Sequence, residues 1–157
     1  MPPAAVGSVA PDFSATDSNG RPFRLSSLRG RPVVVYFYPK DNTPACTAQA
    51  CAFRDIYQDF QAVGAEVVAV SSDSDDTHRG FADKHRLPFV MLSDGSGEIR
   101  RLFGVPRSLF GLVPGRVTYV IDPAGVVRSI FNSQLNVSGH IASAVEAIKA
   151  MGAGASK

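Results

Sequence analysis

A run of six apolar residues, 33–38, is followed, after five intervening residues, by the start of an amphipathic helix, and this succession most constrains the fold. An apolar run without alternation predicts a strand that is buried on both faces. Apolar residues then recur at three- and four-residue spacing, which predicts a helix from about residue 44 to residue 63, ending at Gly64. A buried strand that leads into an amphipathic helix is typical of α/β proteins.

The same alternation continues along the chain. Further strands are predicted at 66–72, 89–92, 116–122 and 126–131, and further helices at 75–85, 97–103 and 138–151, with Ser138 as the last N-cap. Extended segments at 13–15 and 22–25 flank a turn at 18–20 and predict an N-terminal β-hairpin. We therefore expect one α/β domain over residues 1–157, with a mixed central sheet flanked by helices, an N-terminal β-hairpin extension and a frayed tail at 152–157.

Composition excludes several classes of function. The chain has 157 residues, is 45% apolar and carries a net charge of only +2, with basic and acidic residues interspersed, so nucleic-acid binding is not expected. No segment reaches the roughly 18–20 apolar residues of a membrane span, and no secretory signal is visible. Two cysteines cannot form the disulfide framework of a secreted domain. We expect a soluble protein of a reducing compartment, either bacterial cytoplasm or an organelle stroma after removal of a targeting peptide.

The predicted start of the first long helix carries a cysteine. With Thr43 as N-cap and Pro44 at N1, Cys46 falls at N3, beyond the carboxyl end of the preceding strand, where α/β proteins form their sites. Unpaired N–H groups and the positive end of the helix favour a thiolate, which is the nucleophilic form of cysteine. The alternative is that Cys46 is a small buried apolar residue, Thr43 only a helix cap and Pro39 only the end of a strand.

The spacing of the second cysteine, Cys51, limits what the pair can do. Five residues along a helix rise about 7.5 Å and rotate about 140°, which puts the two Cα atoms about 8.7 Å apart. A disulfide tolerates at most about 7 Å. Cys46 and Cys51 therefore cannot bond while the helix is intact, and a disulfide between them requires the first turns to unwind. Burial of Cys51 on the apolar face of the helix is the alternative.

The motif Pro39-x-x-x-Thr43-x-x-Cys46 resembles the active-site motif of peroxiredoxins. Residues 36–51 are similar to Q-type peroxiredoxins, also called bacterioferritin comigratory proteins, and the similarity extends to 9–13, 92–94 and 114–122. Residues 132–140 resemble the plant and cyanobacterial branch. The chain departs from many relatives at Ala45, where they carry glycine, and a methyl group there could alter how easily the first turn unwinds.

This resemblance implies a thioredoxin-like fold and a thiol peroxidase that reduces hydrogen peroxide and organic hydroperoxides. It implies that Cys46 is the peroxidatic cysteine and Cys51 the resolving cysteine. Thr43 would hydrogen-bond the peroxide, Pro39 would shield the pocket, and Arg116 would stabilise the thiolate and the transition state. It further implies a monomer that is reduced by thioredoxin or a related dithiol protein and that needs no metal or organic cofactor.

Other interpretations of the same residues stay open. Arg116 begins a strand after Pro114-Gly115, so it is either carried to the site from afar or is a solvated strand-end arginine. A thioredoxin-like oxidoreductase would carry Cys-x-x-Cys, whereas four residues separate these cysteines; a redox sensor would oxidise once without turnover. The apolar loop 103–114 is expected to flank the pocket, receive a reductant, form a dimer contact or simply pack. The three histidines are expected to be surface or satisfied residues, and no histidine is expected near the cysteines to complete a zinc site.

Overall fold

The computed structural model describes residues 4–108 and 113–155, which form a mixed sheet with helices on both faces. The strands are β1 (Ser14–Thr16), β2 (Pro22–Arg24), β3 (Val33–Phe37), β4 (Glu66–Ser71), β5 (Val90–Ser93), β6 (Arg107–Ser108), β7 (Val113–Pro114), β8 (Val117–Ile121) and β9 (Val127–Asn132). The helices are α1 (Pro44–Ala62), α2 (Asp75–His85), α3 (Glu98–Phe103) and α4 (Val137–Ala155), and a 3₁₀ turn spans Leu25–Leu28.

The central sheet has the strand order β5-β4-β3-β8-β9. Strands β3, β4 and β5 are parallel, whereas β8 runs antiparallel to β3, and β9 runs antiparallel to β8. All five residues of β3 are buried, which confirms the sequence prediction of a strand covered on both faces. The predicted α/β fold with a mixed sheet is confirmed, and β1 and β2 pair as the predicted N-terminal hairpin.

The alternation of β3 side chains divides the core into two layers. Val34, Tyr36 and Tyr38 pack with residues of α1 and α4, and Cys46 belongs to this layer. Val35 and Phe37 face the opposite layer, where α3 and the N-terminal segment pack. Helix α1 therefore packs on the face of the sheet to which Val34, Tyr36 and Tyr38 point. Within 4–108 and 113–155, no helix is both long enough and apolar enough to cross a bilayer.

Several boundaries differ from the sequence predictions. Helix α4 begins one residue earlier than expected, and its first turn is capped by Asn136, whose Oδ1 accepts from the Gly139 N–H at 3.0 Å; Ser138 is inside the helix. The helix also continues to Ala155, so most of the expected frayed tail is helical, as its alanines favour. Residues 156–157 lie outside the described residues. The two-residue strands β6 and β7 were not predicted, and residues 109–112 of the apolar loop lie outside the described residues.

Candidate active site

Helix α1 places Cys46 as the sequence predicts. Thr43 has the extended backbone of an N-cap, Pro44 occupies N1 and Cys46 occupies N3. The Cys46 side chain is buried, with 2% of its surface exposed, and lies in the core layer between the sheet and α1. Its position after the carboxyl end of β3 puts a buried thiol beside the first-turn N–H groups of a helix.

The Thr43 hydroxyl does not cap this helix. Its Oγ1 donates to the Lys40 carbonyl at 2.8 Å, whereas its backbone carbonyl accepts the Thr47 N–H at 2.8 Å. A hydroxyl has a single proton, so this bond leaves the oxygen of Thr43 with only lone pairs to offer another group. The Thr43 hydroxyl can therefore accept, but not donate, a further hydrogen bond at the N-terminus of the helix.

The loop between β3 and α1 is fixed by a buried polar network that the sequence did not reveal. Asp41 accepts from the Tyr38 hydroxyl at 2.5 Å, and its Oδ2 lies 2.5 Å from Nδ1 of His78. Nε2 of His78 lies 3.1 Å from the Leu92 carbonyl, which can only accept, so Nε2 carries a proton. A second proton must lie between Nδ1 and the carboxylate. The network ties the loop that starts at half-buried Pro39 to helix α2.

The polar groups of this network also have the geometry of a cation site. Ligand atoms of Asp41, Asp73 and His78 lie within 4.8 Å of one another. Oδ2 of Asp73, however, already accepts from the backbone N–H of Asp41 at 2.8 Å and from the Ser71 hydroxyl at 2.7 Å. Since the three side chains use one another and their neighbours as partners, they form a hydrogen-bonded support for the loop.

We expect His78→Ala to destabilise the protein by about 3–5 kcal/mol, because it leaves the Asp41 carboxylate buried without its partner. The free energy of unfolding in urea measures this effect. Ser74→Ala, which removes the N-cap of the same helix, should cost only about 1 kcal/mol. If the free energy of unfolding fell equally in the two variants, the buried pair of Asp41 and His78 would not be important for stability.

Arg116 is buried and reaches helix α1 from the residue just before strand β8. Its Nη1 donates to Oε1 of Gln49 at 2.6 Å, and its Nε donates to the Gln134 carbonyl at 2.9 Å. Gln49 follows Cys46 by three residues, so the guanidinium lies over the first turns of the same helix. Arg116 is therefore not a solvated strand-end residue.

Gly115 allows this approach. A Cβ atom at this residue would lie 2.0 Å from the Pro106 carbonyl oxygen, so only glycine fits between the two segments. The close contact sets the path of the chain just before Arg116. Replacement of Gly115 would displace either the 105–106 segment or the arginine itself.

Three polar atoms near Arg116 have no hydrogen-bond partner among the described residues. They are the Tyr36 hydroxyl, Nε2 of Gln49 and Oε1 of Gln134, and all three are buried. Burial raises the pKa of Tyr36 well above its usual range, and the nearby charge of Cys46 raises it further. Unpaired buried polar atoms are costly in free energy, so these three atoms are available to a further hydrogen-bond partner.

His140 supports the loop that carries Gln134. Its Nε2 lies 2.6 Å from the Ser133 carbonyl and must donate, so Nδ1, at 2.8 Å from Oγ1 of Thr118, accepts in the neutral ring. Burial lowers the pKa of His140 below its ordinary value of 6.5, with a smaller contribution from the positive charge of Arg116. The expectation that His78 and His140 are satisfied is confirmed, but both are buried rather than on the surface.

The lowered pKa of His140 predicts a pH dependence of stability. The unfolded chain takes up the proton first as the pH falls below about 6.5, so stability is present above this pH and is lost below it. In urea unfolding, the free energy of unfolding should decrease less between pH 7.5 and pH 5.5 in His140→Gln than in the native protein. Asp12 and Asp122 also have lowered pKa values, but their titration lies below this window. If the free energy of unfolding decreased equally with pH in the two proteins, His140 would not be the source of the pH dependence.

Cys51 lies on the same helix but faces α2. Helix α1 is unbroken and both cysteines are free thiols, in agreement with the geometric limit on their pairing. The half-buried Sγ of Cys51 lies 3.8 Å from Nδ1 of His85, which corrects the expectation that no histidine lies near the cysteines. The two residues are 34 positions apart in the sequence and meet because α1 packs against the end of α2. Sequence spacing alone does not predict such a contact.

A buried thiol at the first turn of the helix after β3, with a buried arginine from the sheet bonded to Gln49 on that helix, is the arrangement of a thioredoxin-fold thiol enzyme. The AhpC/TSA family model matches residues 6–130. The chain is 53% identical over 135 residues to the chloroplastic peroxiredoxin Q of Sedum lineare, covering 86% of this chain and 73% of that protein. It is 49% identical over 145 residues to the chloroplastic peroxiredoxin Q of Oryza sativa subsp. japonica, covering 92% and 67%.

Solved structures agree with these relatives. Peroxidoxin BcpB of Mycobacterium tuberculosis superposes with a TM-score of 0.85 at 36% identity, covering 94% of this chain and 98% of that one. The bacterioferritin comigratory protein of Xanthomonas campestris, studied for its alkyl peroxide reduction activity, superposes with a TM-score of 0.81 at 30% identity, covering 89% and 92%. The chain belongs to the peroxiredoxin family, in its Q-type branch, and is a thiol-dependent peroxidase.

Proposed function

We propose that Cys46 is the peroxidatic cysteine and that Thr43, Pro39 and Arg116 form its pocket. The observation that carries this assignment is the burial of the Cys46 thiol at N3 of α1, with Arg116 bonded to Gln49 on the same helix. A nucleophile needs fixed donors aimed at the charge that develops as it reacts. The guanidinium supplies such donors without ever losing its own proton.

In the first step the Cys46 thiolate attacks one oxygen of the peroxide. An S–O bond forms and the O–O bond breaks, which leaves sulfenic acid on Cys46 and releases water or an alcohol after proton transfer. Since the Thr43 hydroxyl donates to Lys40, its oxygen accepts the O–H of the peroxide and orients it. Half-buried Pro39 limits the access of water to the thiolate.

In the second step Cys51 resolves the sulfenic acid. The turns of α1 from Pro44 to Ala50 unwind, the Cys51 sulfur attacks the Cys46 sulfur, and water leaves as the disulfide forms. Unwinding breaks the bond between Gln49 and Arg116, so this contact is part of the free-energy cost of the step. The short loop closed by the disulfide lies within one chain, which fits a monomeric enzyme.

The disulfide requires a dithiol reductant, and we propose thioredoxin or a related protein for this role. Hydrogen peroxide and organic hydroperoxides are the proposed substrates, because the site offers polar contacts to the oxygens within an apolar core layer. A reducing compartment, the stroma in a plastid or the cytoplasm in a bacterium, would keep both cysteines as free thiols between turnovers. The Sedum and Oryza relatives are described as chloroplastic, which supports the stroma.

Cys51→Ser tests the resolving role. In an assay that couples NADPH oxidation to peroxide through thioredoxin reductase and thioredoxin, we expect turnover to fall at least about tenfold while Cys46 still oxidises, because no partner thiol remains within the chain. Ala52→Ser, one residue further along α1, serves as the matched control and should keep full turnover. Normal turnover of Cys51→Ser with thioredoxin alone would refute the resolving role.

A further inference from the structure

Cys51 has a neighbour on helix α2 that bears on its chemistry. Its Sγ lies 3.8 Å from Nδ1 of His85, within the range of hydrogen bonds to sulfur, and both side chains are half-buried. The His85 ring is held at its angle by an edge-on contact with Phe81, with centroids 5.1 Å apart. An imidazole nitrogen at this distance can take the proton of a thiol.

The backbone of His85 is bonded to a residue of helix α1 that lies C-terminal to Cys51. Nη1 of Arg54 donates to the His85 carbonyl at 2.8 Å. Helix α2 ends directly after His85, since Arg86 adopts the left-handed conformation and Leu87 N–H bonds the Ala82 carbonyl at 2.9 Å. Arg54 follows Cys51 by three residues, so this anchor lies outside the turns that must unwind.

This arrangement keeps Cys51 beside His85 at the moment of attack. Only the first turns of α1, from Pro44 to Ala50, need to change conformation to bring the two Cα atoms from about 8.7 Å to the roughly 7 Å that a disulfide tolerates. Helix ends are the easiest part of a helix to unwind, because their N–H groups lack helical partners. Cys46, at the third residue of α1, therefore travels towards Cys51, which stays docked on the end of α2.

We propose that His85 is the base for the resolution step, a role that rests on the proposed assignment of Cys51 as the resolving cysteine. Nδ1 takes the proton of the Cys51 thiol, and the thiolate attacks Sγ of Cys46. The S–S bond forms as the S–O bond of the sulfenic acid breaks, and the departing hydroxide takes a proton from the imidazolium to leave as water. The step consumes no oxidant beyond the sulfenic acid itself.

The charged groups next to the imidazole are compatible with this role. Arg54 reaches across from α1 but directs its guanidinium to the His85 carbonyl and to Asp55. Lys84 and Arg86 flank His85 in the chain. These three neighbouring side chains are all basic.

His85→Asn tests the proposal, with His85→Gln as a second variant and Lys84→Asn, exposed on the same helical turn, as the matched control. Each protein is mixed with one equivalent of hydrogen peroxide, quenched at set times with a sulfenic-acid trap, and analysed by mass spectrometry for trapped Cys46 and for disulfide. Since a free thiol is a few per cent thiolate at pH 7, loss of the base should slow disulfide formation about 10- to 30-fold. Sulfenic acid formation on Cys46 should keep its native rate.

The pH dependence of resolution separates a base from a merely structural residue. In His85→Asn the resolution rate should fall about tenfold per pH unit from pH 8 to pH 5, in step with the thiolate fraction of a free thiol, whereas the fall should be shallower in the native protein, where the imidazole takes the proton of the neutral thiol. Native resolution kinetics in both His85 variants would overturn the proposal and leave the role of Cys51 intact. Faster resolution would also overturn it, since the contact would then only hold the helix folded. Failure of native Cys46 to form sulfenic acid would instead refute the proposed function.

Discussion

Replacement of Cys46 by serine should reduce peroxide consumption to the level of buffer alone. A serine hydroxyl is almost entirely protonated at neutral pH and is a poor nucleophile without an adjacent base, whereas a thiolate attacks peroxide directly. Within the described residues, no histidine or carboxylate contact of Cys46 could take over that task. The measurement is NADPH-coupled peroxide turnover with thioredoxin.

The control for Cys46→Ser must show that the protein is still folded. A hydroxyl at this buried site costs about 1–3 kcal/mol without a partner, so the unfolding transition should shift but remain cooperative. Cys51→Ser, which keeps the proposed nucleophile, should still consume one equivalent of peroxide. Retention of full peroxidase activity in folded Cys46→Ser would refute the assignment of the nucleophile.

Replacement of Arg116 by glutamine should slow oxidation of Cys46 by about 100- to 1,000-fold. Loss of one fixed donor to developing negative charge has this magnitude in enzymes. The side chain is buried and bonded to Gln49 and to the Gln134 carbonyl, so its donors are held in place before the reaction begins. The second-order rate of peroxide reduction by the reduced protein measures the effect without involving the reductant.

Arg116→Lys and Arg128→Gln are the controls for this result. Lysine keeps the positive charge but not the planar fork, so Arg116→Lys should recover only part of the rate. Arg128 forms an ion pair with Asp122 and is 55% exposed, so Arg128→Gln should leave the rate unchanged. If Arg116→Gln oxidised as fast as Arg128→Gln, the guanidinium would have no part in the first step.

Local sequence signals predicted most of the fold. Helix α1 was expected at 44–63 and spans 44–62, because the Thr-Pro start and the spacing of apolar residues are both local properties. Strand β3 was equally clear from its unbroken apolar run. The pairing of β6 with β7 was missed because two-residue strands are too short to show an alternating pattern. The start of α4 was misplaced because two residues only two positions apart, Asn136 and Ser138, could each serve as a cap.

The site was predictable only where its residues are close in the sequence. The motif from Pro39 to Cys46 could be recognised directly, and Arg116 required the family resemblance. The contacts of His78 with Asp41 and of His85 with Cys51 join residues more than 30 positions apart. Such contacts depend on how helix α2 packs, which no local pattern specifies. Gln49 could have been noticed, because a fully buried glutamine on the apolar face of a helix needs a partner.

The central claim is that Cys46 and Cys51, held apart in an intact helix, bond within one chain after oxidation. Trypsin cleavage after Lys40 and Arg54 places both cysteines in a single peptide, residues 41–54. After treatment with one equivalent of hydrogen peroxide and blocking of free thiols, we predict this peptide unmodified by the blocking reagent and lighter by two hydrogens. Two such peptides joined to each other, or a peptide with oxidised Cys46 and a blocked Cys51, would contradict the claim.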